Sequence, residues 1–120
     1  GFGSHVMQTL SDNGMLDEAE MRYRNIADNG RGAYVSLANL SLAKIYSSQG
    51  KTADAEKLVR SVIDKPTILV SKESATIARA RIIAPQNKQQ ALSHLGPLRA
   101  SDRPAVSKTA IDAIADLKLE

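Results

Sequence analysis

The chain has 120 residues, the size of one domain or of a piece of one. Hydrophobic residues make up 42% of it but aromatic residues only 3%, so its core must be built from aliphatic side chains. It has no cysteine, which excludes disulfides, thiolate zinc sites and cysteine nucleophiles, and no apolar run approaches the roughly 20 residues that a membrane-spanning helix needs.

The net charge of +3 is unevenly distributed along the chain. Residues 1–30 carry two basic and five acidic side chains, whereas residues 60–108 carry nine basic and three acidic ones. Such an excess is either an ordinary solvated surface or a positive face for an acidic partner.

In chain order, the periodicity of apolar residues predicts helices throughout. Residues 1–5 are typical of an expression-tag remnant. One short helix is predicted to end near Leu10, and a second to run from about Leu16 to Asp28. Thr67 to Val70 is interpreted as a loop that leads into a helix. The later helices are predicted at about 33–48, 52–64, 72–84, 87–100 and 103–119.

A repeat with an offset of 36 residues runs through the chain. Gly14 corresponds to Gly50, and each glycine is followed by a helix with a small residue, a large apolar residue four positions later, and another three after that. This spacing forms one stripe along a helix. The corresponding residues are Ala19, Tyr23 and Ile26, then Ala55, Val59 and Val62, then Ala91, Leu95 and Leu98.

The preceding helix recurs as well, because 38–46 matches 75–83 at an offset of 37. At the front, 9–14 matches 45–50, so we expect the chain to begin inside the first helix of a unit. We therefore predict an all-α fold of stacked antiparallel helix hairpins with a C-terminal capping helix. Its domain, 6–120, divides into a partial repeat at 6–30, repeats at 33–66 and 71–101, and a last helix at 103–119.

The middle unit resembles the tetratricopeptide repeat. The residues at the signature places are Ala43, Tyr46, Gly50, Ala55, Val59, Val62 and Pro66. Two places depart from the pattern: Asn39 stands where a bulky aromatic residue is usual, and Gln86 where glycine is usual. The resemblance implies an α-α superhelix that serves as a non-catalytic protein-interaction module, with no cofactor or metal.

A longer stretch is similar to a bacterial tetratricopeptide-like family that includes the ancillary subunit of the Sec translocon. The matching residues are Gly50-Lys51, Ala55-Glu56, Ile63 to Thr67, Val70, Lys72 and Ala84-Pro85. This resemblance implies the periplasmic part of an inner-membrane-anchored protein that assists secretion or folding, with its anchor upstream of this chain. A cytoplasmic scaffold is the alternative.

In this type of stack the first helix of each unit lines the concave side. Leu40 and Ile77 correspond by repeat, and so do Lys44 and Arg81. An apolar row beside a basic row would fit a segment of another protein that carries acidic groups. The predicted partner-binding face consists of Leu40, Lys44, Ser47, Ile77, Arg81 and Ala84.

Other kinds of function find less support in the sequence. His5 and His94 lack the spacing of metal ligands, and no residue cluster predicts an enzyme. A basic nucleic-acid-binding helical domain is the alternative function, although Tyr23 and Tyr46 fall in core places, which leaves few aromatic residues to stack on bases. If the first unit is incomplete, its uncovered helix favours self-association or a swapped helix.

Overall fold

The computed structural model describes the backbone of residues 2–119 and the side chains of residues 14–119. These residues form no strand, so the predicted all-α fold is confirmed. No helix in this range has both the length and the apolar character to cross a membrane. The helices are α1 (Phe2–Asn29), α2 (Ala33–Ser48), α3 (Thr52–Asp64), α4 (Lys72–Ile83), α5 (Lys88–Leu95) and α6 (Pro104–Leu119), and a 3₁₀-helix, Gly96–Ala100, continues α5.

Each helix packs against the next one in the sequence. In addition, α2 contacts α4 and α4 contacts α6, so that these three helices lie side by side in what we call the α2–α4–α6 row. The arrangement is that of six helices packed as adjacent pairs, which is consistent with stacked helix pairs.

The core consists of two clusters built on the recurring alanines. The first cluster joins α2, α3 and α4 and includes Ala43, Ala55 and Ala75, all fully buried. The second cluster joins α4, α5 and α6 and includes Ala80 and Ala91, which are equally buried. Because a methyl group keeps the distance between helix axes short, the phase of the alanines determines which helix faces meet.

Local signals explain where most helices begin and end. α2 and α3 have the predicted bounds, and α4 ends one residue earlier than predicted. Ser71 caps α4 by accepting a hydrogen bond from the backbone N–H of Ser74, and Asn87 caps α5 in the same way. The helix predicted at 87–100 becomes a 3₁₀-helix after Leu95, because Pro97 has no N–H to continue the α-helical pattern.

α1 departs most from the prediction. The break expected between Leu10 and Leu16 is absent, since α1 continues through Gly14. Gly50, the repeat counterpart of Gly14, has a φ of 80° and lies in the turn between α2 and α3. Nothing lies within 4 Å of a Cβ placed on Gly14, so no contact there requires a turn. A glycine in a helix costs only about 1 kcal/mol, and the helix continues.

Candidate functional site

The apolar part of the predicted binding face is buried. Leu40 and Ile77 are only 7% and 6% exposed, and Ala84 is buried as well. Leu40 belongs to the first core cluster together with Ala75 of α4, and Ile77 belongs to the second cluster together with Leu117 of α6. These residues therefore do not form the predicted apolar surface row, because they lie within the two core clusters.

The polar part of the predicted face remains accessible. Lys44 is exposed and makes no ion pair with a described residue, while Ser47 is half-buried. Arg81 is exposed, but its Nη2 donates to Oδ2 of Asp116 on α6 over 3.1 Å. The two cations that correspond by repeat thus differ, since one of them is already paired within the fold.

The exposed large apolar residues of α2 lie one to two turns before the predicted Leu40. They are Tyr34 and Leu37, and Leu37 lies two turns before Lys44 on the same face. The repeat itself contains the signal that separates Leu37 from Leu40. Leu37 corresponds to Ser74, whereas Leu40 corresponds to Ile77, and a position that is apolar in both units is a core position.

A groove of about 620 Å³ lies between α1 and α3, with α2 as its floor. Tyr46 lines it, two residues after Lys44, so the groove and the exposed face of Lys44 are on opposite sides of α2. Its apolar contacts come from Leu42 and Leu58. Its charged residues are the cations Arg24, Lys51 and Lys57 and the carboxylates Asp28 and Asp54.

Two of these cations, Arg24 and Lys51, contact the side chain of Tyr46. Arg24 Nη2 donates a hydrogen bond of 2.6 Å to the Tyr46 hydroxyl, and the guanidinium carbon lies 6.0 Å from the ring centroid. The Lys51 ammonium lies 5.4 Å from the same centroid. Both distances are in the range of a cation–π interaction. The sequence assigned Tyr46 to the core, and its ring does pack on the first cluster, but its hydroxyl belongs to the groove.

Glu20 fixes the α1 side of the groove. It accepts hydrogen bonds from Arg24 over 2.9 Å and from Gln49, at the end of α2, over 3.1 Å. The hydrogen bond to Tyr46 raises the pKa of Arg24. Lys51 and Lys57 form no ion pair with residues 14–119, which leaves their charge available to a ligand.

The basic stretch at 60–108 is partly neutralised in the fold. Arg79 donates to Oε1 of Glu56 through both Nε and Nη2, at 3.3 and 2.9 Å, and Arg60 lies 3.3 Å from the same oxygen. Arg81 pairs with Asp116, as described above, and Arg103 lies 3.7 Å from Glu73. Glu56 and Asp116 lie outside this stretch, so the local count of charges overstated how positive the surface is.

The histidine that the structure describes has no metal-binding neighbours. His94 is half-buried on α5, and its Nε2 has no hydrogen-bond partner in the described part of the chain. Among the described residues no three His, Asp or Glu side chains are grouped as metal ligands would be.

No protein-family model matches the chain, and no solved structure matches it significantly. The described residues form an all-helical domain of six sequentially packed helices.

Proposed function

We propose that this chain is a non-catalytic tetratricopeptide-like module that binds a segment of another protein in the groove between α1 and α3. The observation that carries the proposal is the pair of cations, Arg24 and Lys51, which lie 6.0 and 5.4 Å from the centroid of the Tyr46 ring. Arg24 is already paired with Glu20, so the unpaired ammonium of Lys51 beside the aromatic ring supplies the charge that is free to bind a carboxylate.

The lining of the groove indicates the chemistry of the partner. Leu58, which is half-buried, offers an apolar contact, and Lys51 and Lys57 offer positive charge. A segment with apolar residues and an acidic side chain, or a terminal carboxylate, would use both. Asp28 and Asp54 would repel a uniformly acidic chain, so they favour a segment with its acidic groups at defined positions.

The finer fold, a tetratricopeptide superhelix, is supported by the behaviour of its signature residues. Ala43 and Ala55 are fully buried where α2 and α3 meet, Gly50 has a positive φ in the turn, and Pro66 follows the end of α3. Stacks of such hairpins bind extended or helical segments of other proteins.

The narrower resemblance extends the proposal to the cell envelope. Within its Ile63 to Thr67 match, the Thr67 hydroxyl lies 2.6 Å from that of Ser36 and accepts a hydrogen bond from the N–H of Val70, which ties the loop to α2. We infer the periplasmic part of an inner-membrane-anchored protein that assists secretion or folding. An apolar stretch of about 20 residues encoded upstream would support this inference, and further repeats there would favour the cytoplasmic alternative.

A display library of linear peptides tests the binding site. We expect selected peptides to contain acidic residues, and Lys51→Glu to weaken their binding about tenfold, which is 1.4 kcal/mol, because it places a carboxylate beside Tyr46. Lys44→Glu is the matched control, since it reverses an exposed lysine on the opposite side of α2. Titration calorimetry measures both affinities, and circular dichroism checks that the variants fold.

Two results would overturn the proposed site. If Lys44→Glu weakens binding and Lys51→Glu does not, the α2–α4–α6 row is the binding face. If no peptide is selected but single-stranded nucleic acid binds with a steep dependence on salt, the alternative function is correct.

A further inference from the structure

One face of α1 has no neighbouring helix among the described residues. A groove of about 500 Å³ runs along it, and Met15 and Ile26 at its ends are 66% and 38% exposed. Tyr23, which also lines the groove, corresponds by repeat to Val59 and Leu95, and these two residues are completely buried. The residues that line the groove, which we call the α1 face, are Met15, Glu18, Ala19, Arg22, Tyr23 and Ile26.

We propose that the α1 face binds the α1 face of a second copy of this chain. In this dimer the two α1 helices pack antiparallel, and a two-fold axis passes between Ala19 and Arg22. The inference goes beyond the proposed function, because it concerns a different surface of α1 and a different partner.

The spacing of the residues defines the register. Met15, Ala19, Arg22 and Ile26 are separated by four, three and four residues, which places them on one stripe of the helix. An antiparallel pairing that sets Met15 opposite Ile26 of the second copy also sets Ala19 opposite Arg22. Every contact is then repeated by the symmetry, so the interface is closed at two copies. Ala19 has only a methyl group, which permits close approach near the axis.

The charges of the α1 face indicate a second copy as the occupant. Within one chain Arg22 Nη2 lies 2.6 Å from Glu18 Oε1, and both side chains are mostly exposed. In the antiparallel register, Arg22 of each copy also lies beside Glu18 of the other. The four charges therefore alternate across the axis, and each copy supplies the charges that complement the other.

The dimer leaves the Tyr46 groove open. Arg24, which lines that groove, follows Arg22 by two residues and so points to the opposite side of α1. The α1 face is small for a protein interface, and we therefore expect a weak dimer whose population depends on concentration.

Disulfide trapping tests the register. The chain has no cysteine, so Met15→Cys and Ile26→Cys each introduce a single thiol. Under mild oxidation we expect the mixture of the two variants to form several times more linked dimer than either variant alone. The reason is that position 15 faces position 26 of the other copy, whereas two copies of position 15 are roughly 16 Å apart along the helices. Equal linking in all three samples, or none in the mixture, would overturn the register.

Sedimentation equilibrium tests the dimer itself. We expect the unsubstituted chain to change from monomer to dimer between about 5 and 500 µM, and Met15→Glu to weaken the dimer at least tenfold. Met21→Glu is the matched control, because Met21 is 72% exposed on the other side of α1, and we expect it to leave the dimer intact. A chain that stays monomeric over the whole range would rule out the proposal.

Exchanging the charges at positions 18 and 22 tests whether ion pairs, and not apolar contacts alone, stabilise the dimer. Arg22→Glu puts four carboxylates around the axis, and we expect it to weaken the dimer. Adding Glu18→Arg restores the alternation, and the dimer should recover. If the double variant stays as weak as the single one, the charges do not contribute as proposed.

Discussion

α1 and α3 carry the same repeat pattern but have different surroundings. Ala55 and Val59 of α3 are fully buried, because α2 and α4 lie on either side of that helix. Ala19 and Tyr23 of α1 hold the same repeat positions, yet they line an open groove, because α2 covers only one side of α1. The pattern thus specifies which side chains suit a core, whereas burial requires a neighbouring helix on both sides.

The ion pairs of the two helices differ in the same way. Glu18 and Arg22 of α1 are neighbours on one exposed helix, and their pair connects no two parts of the fold. Glu56 of α3 reaches Arg79 of α4, and both side chains are largely shielded from solvent. The Glu18–Arg22 pair lies on the surface of one helix, whereas the Glu56–Arg79 pair joins two helices.

The largest expected change in the free energy of unfolding comes from truncating two side chains, Leu95 and Tyr23, that hold the same repeat position in different units. We expect Leu95→Ala to lower the free energy of unfolding by about 3 kcal/mol, because it leaves a cavity in the second core cluster. Tyr23→Ala removes an aromatic ring from the half-covered α1, and we expect a loss of about 1 kcal/mol or less.

Urea denaturation at a low micromolar concentration, where the proposed dimer is dissociated, measures both losses. Circular dichroism of the folded variants at the start of each titration serves as the control for native helix content. Equal losses for Leu95→Ala and Tyr23→Ala would mean that α1 is covered as fully as α5, and the comparison would fail.

Much of the fold could be predicted because local signals and the repeat agree. Gly50 marks a turn between two apolar stripes, and the bounds of α2 and α3 follow from it. Gly14 has the same flanking pattern but forms no turn, since a turn is stable only where the two helices it joins can bury a shared core. That condition is tertiary, and the sequence of one unit does not contain it.

The candidate site was harder to predict than the fold. Leu37 and Leu40 both lie near Lys44 on α2, and periodicity alone does not show which of them α4 covers. The sequence predicts Arg81 as a cation that binds a partner, but it does not show that Arg81 pairs with Asp116 on α6, 35 residues away. The sequence does not predict the Tyr46 groove, because its cations come from α1, from the turn before α3 and from α3 itself, which only packing brings together.

A smaller effect is expected from neutralising one carboxylate in each ion pair. Glu56→Gln keeps the shape of the side chain but removes a charge that faces Arg79 and Arg60. We expect it to lower the free energy of unfolding by about 1–2 kcal/mol. Glu18→Gln affects an exposed ion pair, and we expect it to lower the free energy of unfolding by less than about 0.5 kcal/mol. Thermal denaturation at two salt concentrations separates the pairs, because salt screens the exposed one more strongly. A larger loss for Glu18→Gln would contradict the difference in shielding.

Small changes in stability of opposite sign are expected at the two corresponding glycines. Gly50→Ala forces an alanine into a φ of 80°, and we expect it to destabilise the fold by about 1 kcal/mol. Gly14→Ala replaces a helical glycine that has open space around its Cα, and we expect a gain in stability or helix content equivalent to about 0.5–1 kcal/mol. Denaturant midpoints measure the first change, and far-ultraviolet circular dichroism of the folded protein measures the second.

The sign of the stability change caused by Gly14→Ala decides whether residues 2–29 form a continuous helix or a hairpin. In a continuous α1, alanine strengthens the helix at this position, because its helix propensity exceeds that of glycine. In a hairpin like that of α2 and α3, residue 14 would need a positive φ, and alanine would destabilise it as it does at Gly50. A loss at both glycines would therefore restore the predicted turn, cover the α1 face with the chain's own N-terminal residues, and remove the surface on which the dimer depends.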